Sequence, residues 1–169
     1  MLFHVFNFYA QYNNTYEEKL FKTIKNKNEI DAFDILKGIG YIEKLYSKGK
    51  NEIEVFVKEI KTSKFETRSL KRKIKIIYKK AYLKFLKKYD KKADFNKVFE
   101  NGSYNCVSAS ALYALLSDEF GINYSIKEKP THVYIIADTL GLQTTIETTL
   151  PTFGVFSYNQ NFKNNYIED

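Results

Sequence analysis

"NGSYNCVSASALYALLSDEFGI", residues 101–122, is the stretch that decides how this chain folds. Beyond Cys106 the apolar residues Ala109, Ala111, Leu112, Ala114, Leu115 and Leu116 occupy nearly every side of a helical wheel. A helix that is apolar all round is a buried one. Gly121 supplies its stop, because glycine accepts the left-handed backbone that closes a helix. A buried helix over Val107–Phe120 follows, with the only cysteine of the chain at its amino end. There the first helical amides have no acceptor of their own and the helix dipole is positive, so a thiolate would be favoured at that spot. The same position also suits a small apolar residue at a crowded helix start.

Downstream of Gly121 the pattern changes to short runs rich in β-branched and aromatic residues: "INYSI" (122–126), "HVYIIA" (132–137) and "LQTTIE" (142–147). These read as strands. Pro130 favours an extended entry to the second run, which puts His132 at the head of a strand beside a loop. "ADTLGL" (137–142) carries turn residues between the second and third runs. A turn centred on Thr139 and Leu140 would set position 132 opposite 147, and Glu147 is the only acid between Gly141 and Pro151. Opposed residues share a face of the sheet with Cβ atoms about 4.5–5.5 Å apart. A carboxylate there can hold an imidazole in one tautomer and stabilise its charged form, the third-group role beside a nucleophile and a base. A slip of one residue would send the two to opposite faces.

Upstream, the chain reads as helical. Thr15 and Glu18 form a capping box ahead of Leu20, Phe21 and Ile24. Ile35, Ile39, Ile42 and Leu45 mark a second helix over Ile30–Tyr46, which "SKGKN" (47–51) is expected to end. Asn51 with Glu54 offers a new cap before Ile53, Phe56, Val57 and Ile60. The longest helix, Thr67–Tyr89, places Leu70, Ile74, Ile77, Tyr78, Ala81 and Phe85 on one stripe with Lys and Arg elsewhere. Asp94 caps a short turn of helix through Phe99. The order, a helical half and then one buried helix with a small antiparallel sheet, is α+β. Residues 11–169 read as one domain, 11–98 its helical part and 99–169 its core. Leu2–Ala10 reads either as the remnant of a secretory signal at 1–10, which would imply export, or as a first packed strand or helix.

The segments "NGSYNCVSASALYALLSDEFGI", "PTHVYII" and "GLQTTIETTLP" together resemble the transglutaminase-like superfamily, the papain-like cysteine protease fold. The likeness spans about Phe99–Pro151, roughly a third of the chain. It implies a Cys106 nucleophile, a His132 base and an orienting acid at Glu147, where the family usually carries Asp. Tyr134 stands where the family has an aromatic soon after the histidine. The activity implied is acyl transfer through a thioester: hydrolysis of an amide, or transfer to an amine, on a protein or peptide. The amide of Cys106, with a group from Tyr104 or Asn105, would help hold the oxyanion. The rival expectation is an inactive member whose cleft binds or assembles with a partner.

Composition sets outer limits. Of 169 residues 44% are hydrophobic and 17% aromatic, which excludes a disordered chain. One cysteine excludes a disulfide scaffold. No apolar run approaches the ~18 residues of a membrane span. No second cluster has metal-ligand spacing and no phosphate-binding glycine loop is present, so neither metal nor cofactor is expected. The net charge of +7 concentrates between Lys58 and Lys97, where 16 Lys or Arg face 4 acids. A solvated face of basic helices accounts for that run. A surface for an anionic partner is the functional alternative, and without a nucleic-acid motif nucleic acid is not the expected one.

Overall fold

A computed structural model of the chain describes residues 43–129, 132–138, 140–141, 143–150 and 154–157. The expected signal remnant, the Thr15 helix and all but the end of the Ile30–Tyr46 helix lie outside these residues.

Helix α1 (Glu43–Ile60) runs without interruption through "SKGKN". The expected break there, and the cap at Asn51, do not occur. A glycine inside a helix costs about 1 kcal/mol. Burial of Ile53, Phe56, Val57 and Ile60, at about 1.5–3 kcal/mol for each such side chain, outweighs it. Thr62 then caps the single turn α2 (Ser63–Glu66), its hydroxyl accepting from the Phe65 amide at 3.3 Å. Helix α3 (Leu70–Phe85) is shorter at both ends than the expected Thr67–Tyr89. Of its expected stripe Ile74, Ile77, Tyr78, Ala81 and Phe85 are buried, but Leu70, at the helix's first position, is exposed. It stops because Leu86 turns extended and the chain enters β1 (Lys88–Tyr89), a strand that hydropathy alone did not reveal.

Strand β1 pairs in parallel with β2 (Ser103–Tyr104), Lys88 opposite Ser103 and Tyr89 opposite Tyr104. Between them lies α4 (Asn96–Glu100), and as expected Asp94 serves its start, its carboxylate accepting from the Lys97 amide at 3.3 Å. Helix α5 (Cys106–Glu119) follows at once and is the buried helix read from the sequence. It ends as expected: Gly121 takes φ +63°, and the Ile122 amide closes on the Ser117 carbonyl at 2.8 Å.

The main sheet is antiparallel in the order β3 (Tyr124–Lys129), β4 (His132–Ala137), β5 (Thr144–Ile146) and β6 (Val155–Ser157). The chain is thus α+β, with one antiparallel sheet packed on helices. Among the described residues one cluster of buried side chains runs from Ile53 of α1 through Tyr78, Leu112 and Leu116 to Ile135, Ala137 and Ile146 of the sheet.

The register between β4 and β5 differs from the expected one. Ile135 faces Ile146 and Ala137 faces Thr144, a shift of two residues that takes 132 out of direct opposition to 147. The cause is a longer connection. Asp138 and Gln143 both adopt left-handed backbone, at φ 57° and 44°, and the Asp138 carbonyl accepts from the amides of Gly141 and Gln143. Thr139, half of the expected turn centre, lies outside the described residues. An even shift leaves His132 and Glu147 on the same face.

Candidate functional site

The residues singled out by spacing gather where α5 and β4 begin and β5 has just ended. Asn105 positions the start of α5. Its side-chain oxygen accepts from the Ser108 amide at 2.8 Å, and the Ser108 hydroxyl accepts from the Asn105 amide at 2.8 Å, a reciprocal cap. The Asn105 side-chain amide donates to the carbonyls of Lys91 and Ala93, which fastens the preceding loop to the helix. Such a cap contributes about 1 kcal/mol. Both donors of that amide are therefore occupied, and Asn105 has none left for an oxyanion. Tyr104 is likewise unavailable: its ring is 3% exposed and its hydroxyl pairs with that of Tyr82 at 2.9 Å. Burial, then this hydrogen bond, push the Tyr104 phenol well above its ordinary range. The side chains at 104 and 105 thus have other partners, and a group from either residue at the oxyanion would not be its side chain. What remains among the described residues is backbone: the amides of Cys106 and Val107 open the helix with no acceptor.

His132 and Glu147 meet. Nε2 of the imidazole lies 2.7 Å from Oε2 of the carboxylate, and both side chains are largely sheltered. Because they stand diagonally rather than face to face, a long arm is needed, and glutamate has one more methylene than aspartate. The second carboxylate oxygen accepts from the amide of Thr149 at 3.2 Å and from its hydroxyl at 2.8 Å. With both oxygens held, the carboxylate cannot swing away from the ring. An Nε2–H donated to it leaves the lone pair of the neutral ring on Nδ1. Below the imidazole, the Tyr134 ring stacks at 6.2 Å between centroids and 14° between planes.

Thr148 ties the backbone of Cys106 to β4 next to His132. The Thr148 hydroxyl, fully buried, lies 3.5 Å from the Cys106 carbonyl and 3.4 Å from the Val133 carbonyl. Ser110 Oγ, one helical turn after the cysteine, lies 3.3 Å from both the Thr148 hydroxyl and the Val133 carbonyl. The two hydroxyls thus lock the first turn of α5 to β4 beside His132. Among the described residues no hydrogen bond joins Sγ to the imidazole. Strand alternation puts His132 on the face of β4 that carries Tyr134, while Ile135 and Ala137 face the core shared with α5.

Tyr78 of α3 supports the acid from behind. Its hydroxyl donates to the Glu147 carbonyl at 3.1 Å and to that of Leu150. Gly154 lies against the same hydroxyl so closely that a Cβ there would overlap it and the Glu147 carbonyl. Burial first, then the Glu147 charge, raise the Tyr78 phenol far above its usual range, so it stays a protonated donor.

Sequence reasoning did not assign Ser110, Thr148, Thr149 or Tyr78 to the site. "IETT" placed the threonines next to the acid, but a hydroxyl's partners depend on which strand and helix lie beside it. Tyr78 reads only as a core position, 69 residues from its partner. Among the described residues no group of three His, Cys, Asp or Glu is placed to hold a metal ion. No described helix is long and apolar enough to cross a membrane. Comparison with family models, with curated proteins and with solved structures finds no match to this chain.

Proposed function

We propose that the chain is a transglutaminase-like domain performing cysteine-dependent acyl transfer, with Cys106 as nucleophile, His132 as base and Glu147 as the orienting acid. The observation that carries this reading is the His132–Glu147 contact of 2.7 Å, with the other carboxylate oxygen fixed by Thr149. A carboxylate held that firmly fixes the imidazole tautomer and compensates the charge the ring gains on taking a proton. In this scheme Nδ1 takes the thiol proton and Sγ attacks an amide carbonyl. The C–N bond breaks, and the proton returns to the departing amine. Water or a second amine then resolves the thioester. The free amides of Cys106 and Val107 are the oxyanion donors, the place that the side chains of Tyr104 and Asn105 cannot fill. The chemistry draws on no metal or cofactor. The substrate is a protein or peptide.

A second reading, a binding or assembly module on the same scaffold, is favoured by one observation: the imidazole and the thiol are not hydrogen-bonded. The two readings separate in one experiment. Full-length chain is alkylated with iodoacetamide across the pH range, in wild type, His132→Ala and Glu147→Gln, with Cys106→Ser as the blank. A rate at neutral pH that falls about tenfold or more in both variants supports the enzyme, since the thiolate is the reacting species. A rate indifferent to both substitutions leaves the module.

A further inference from the structure

The stretch of charge between Lys58 and Lys97 is mostly solvated, but one part of it is shaped. The end of α1, all of α2 and the middle of α3 enclose a groove of about 250 Å³, lined by Ile60, Phe65 and Ile76 with Lys64, Arg68 and Lys80 around them. Among the described residues these three cations have neither an ion pair nor a hydrogen-bonded side-chain partner. The acids nearby do not compensate them. Glu59, also on the lining, is engaged by Lys84 at 3.3 Å, and Glu66 by Lys73 at 2.7 Å. The groove therefore presents net positive charge around an apolar floor.

We infer that this groove docks an acidic segment of a partner protein, its carboxylates meeting Lys64, Arg68 and Lys80 and an apolar side chain lying against the half-buried Ile76. Arg68 offers a planar fork suited to a carboxylate, and the lysines offer point charges to its neighbours. A nucleic-acid strand fits less well. Sequence-tolerant binding of single strands relies on aromatic faces on which bases stack. Among the described lining residues the one aromatic ring, Phe65, is 5% exposed and already carries the Lys73 ammonium 5.3 Å from its centroid. The inference stands on the groove alone and is independent of the chemistry of Cys106.

The test is fluorescence anisotropy of the full chain with a labelled synthetic peptide carrying phenylalanine between pairs of glutamates. The same peptide with glutamine for glutamate is the neutral probe, and a labelled oligothymidylate the polyanion probe. Three variants of the groove, Lys64→Glu, Arg68→Glu and Lys80→Glu, are combined. They are compared with Lys75→Glu, Lys79→Glu and Lys92→Glu combined, which changes net charge equally outside the groove. The expected result is binding of the acidic peptide only, weakened at least about tenfold by the groove set and less than about twofold by the control set. All six positions are exposed or half-exposed, and Lys80→Gln alone, expected to weaken binding about threefold, guards against misfolding of the combined variant. Equal losses in both sets would reduce the groove to unspecific charge and overturn the inference. So would failure of the acidic peptide to bind, or tighter binding of the oligonucleotide that the groove set abolishes.

Discussion

Replacing Tyr78 with phenylalanine removes one oxygen atom and tests how the acid's loop is held. The hydroxyl donates to the carbonyls of Glu147 and Leu150 from a ring that is 3% exposed, so no water takes its place freely. Among the described residues the one other donor to the Glu147 carbonyl is the Leu150 amide, at 3.5 Å, a weak bond. Depriving these part-buried acceptors of their donor costs up to about 1–3 kcal/mol. The aromatic ring survives the substitution, and with it the stacking on Tyr113 at 5.2 Å between centroids. The expected loss is therefore about 1–3 kcal/mol in urea unfolding at unchanged m-value. For a chain of this size that lowers Tm by about 2–4 °C per kcal/mol. Tyr78→Leu removes the ring contact as well and adds about 0.5–1.5 kcal/mol. A loss under about 0.5 kcal/mol for the phenylalanine variant would refute the claim that this hydroxyl closes the loop from behind.

Three further outcomes follow from the same contacts. Gly154→Ala sets a Cβ into the Tyr78 hydroxyl and the Glu147 carbonyl; it is expected to cost about 1–3 kcal/mol by overpacking, and a variant as stable as wild type in urea would contradict it. Asn105→Ala deletes a reciprocal cap and releases the carbonyls of Lys91 and Ala93. It should cost about 1–2 kcal/mol, with Asn105→Ser recovering part of it, and no recovery would argue against the capping role. Stability should fall in base. Tyr124, pushed up to about 12 by burial and by Asp118, and Tyr78, Tyr104 and Tyr113, pushed up mainly by burial, all hold their protons more tightly when folded. Their contribution is complete below the ordinary phenol value near 10 and is lost as pH rises through the folded values. A urea midpoint unchanged between about pH 9 and pH 11.5 would be the opposite of this expectation.

Elements whose formation depends on local pattern were legible. The stripe at Ile74, Ile77, Tyr78, Ala81 and Phe85 and the all-round apolar run ending at Gly121 need only near neighbours in sequence to declare a helix. Elements that depend on a distant partner were not. β1 and β2 have two residues each and exist because each offers the other its backbone. β6, three residues long, pairs with β5 and was not read from the sequence. The helix break expected at Gly49 failed for the same reason, since the cost of a glycine is local whereas the burial that overrides it belongs to the whole core.

The sequence by itself determined the class of the fold, the buried helix with its cysteine, and the face on which His132 and Glu147 both stand. That last point survived a register error because strand alternation has a period of two and the error was even. Tertiary structure alone decided the contacts. It moved Glu147 to a diagonal position that its longer arm spans, assigned Thr149 to the carboxylate, and placed Thr148 between Cys106 and Val133. It also committed the side chains of Tyr104 and Asn105 to Tyr82 and to the loop before α5, since a phenol or an amide donates to whatever acceptor packing brings near, and no local pattern names that acceptor.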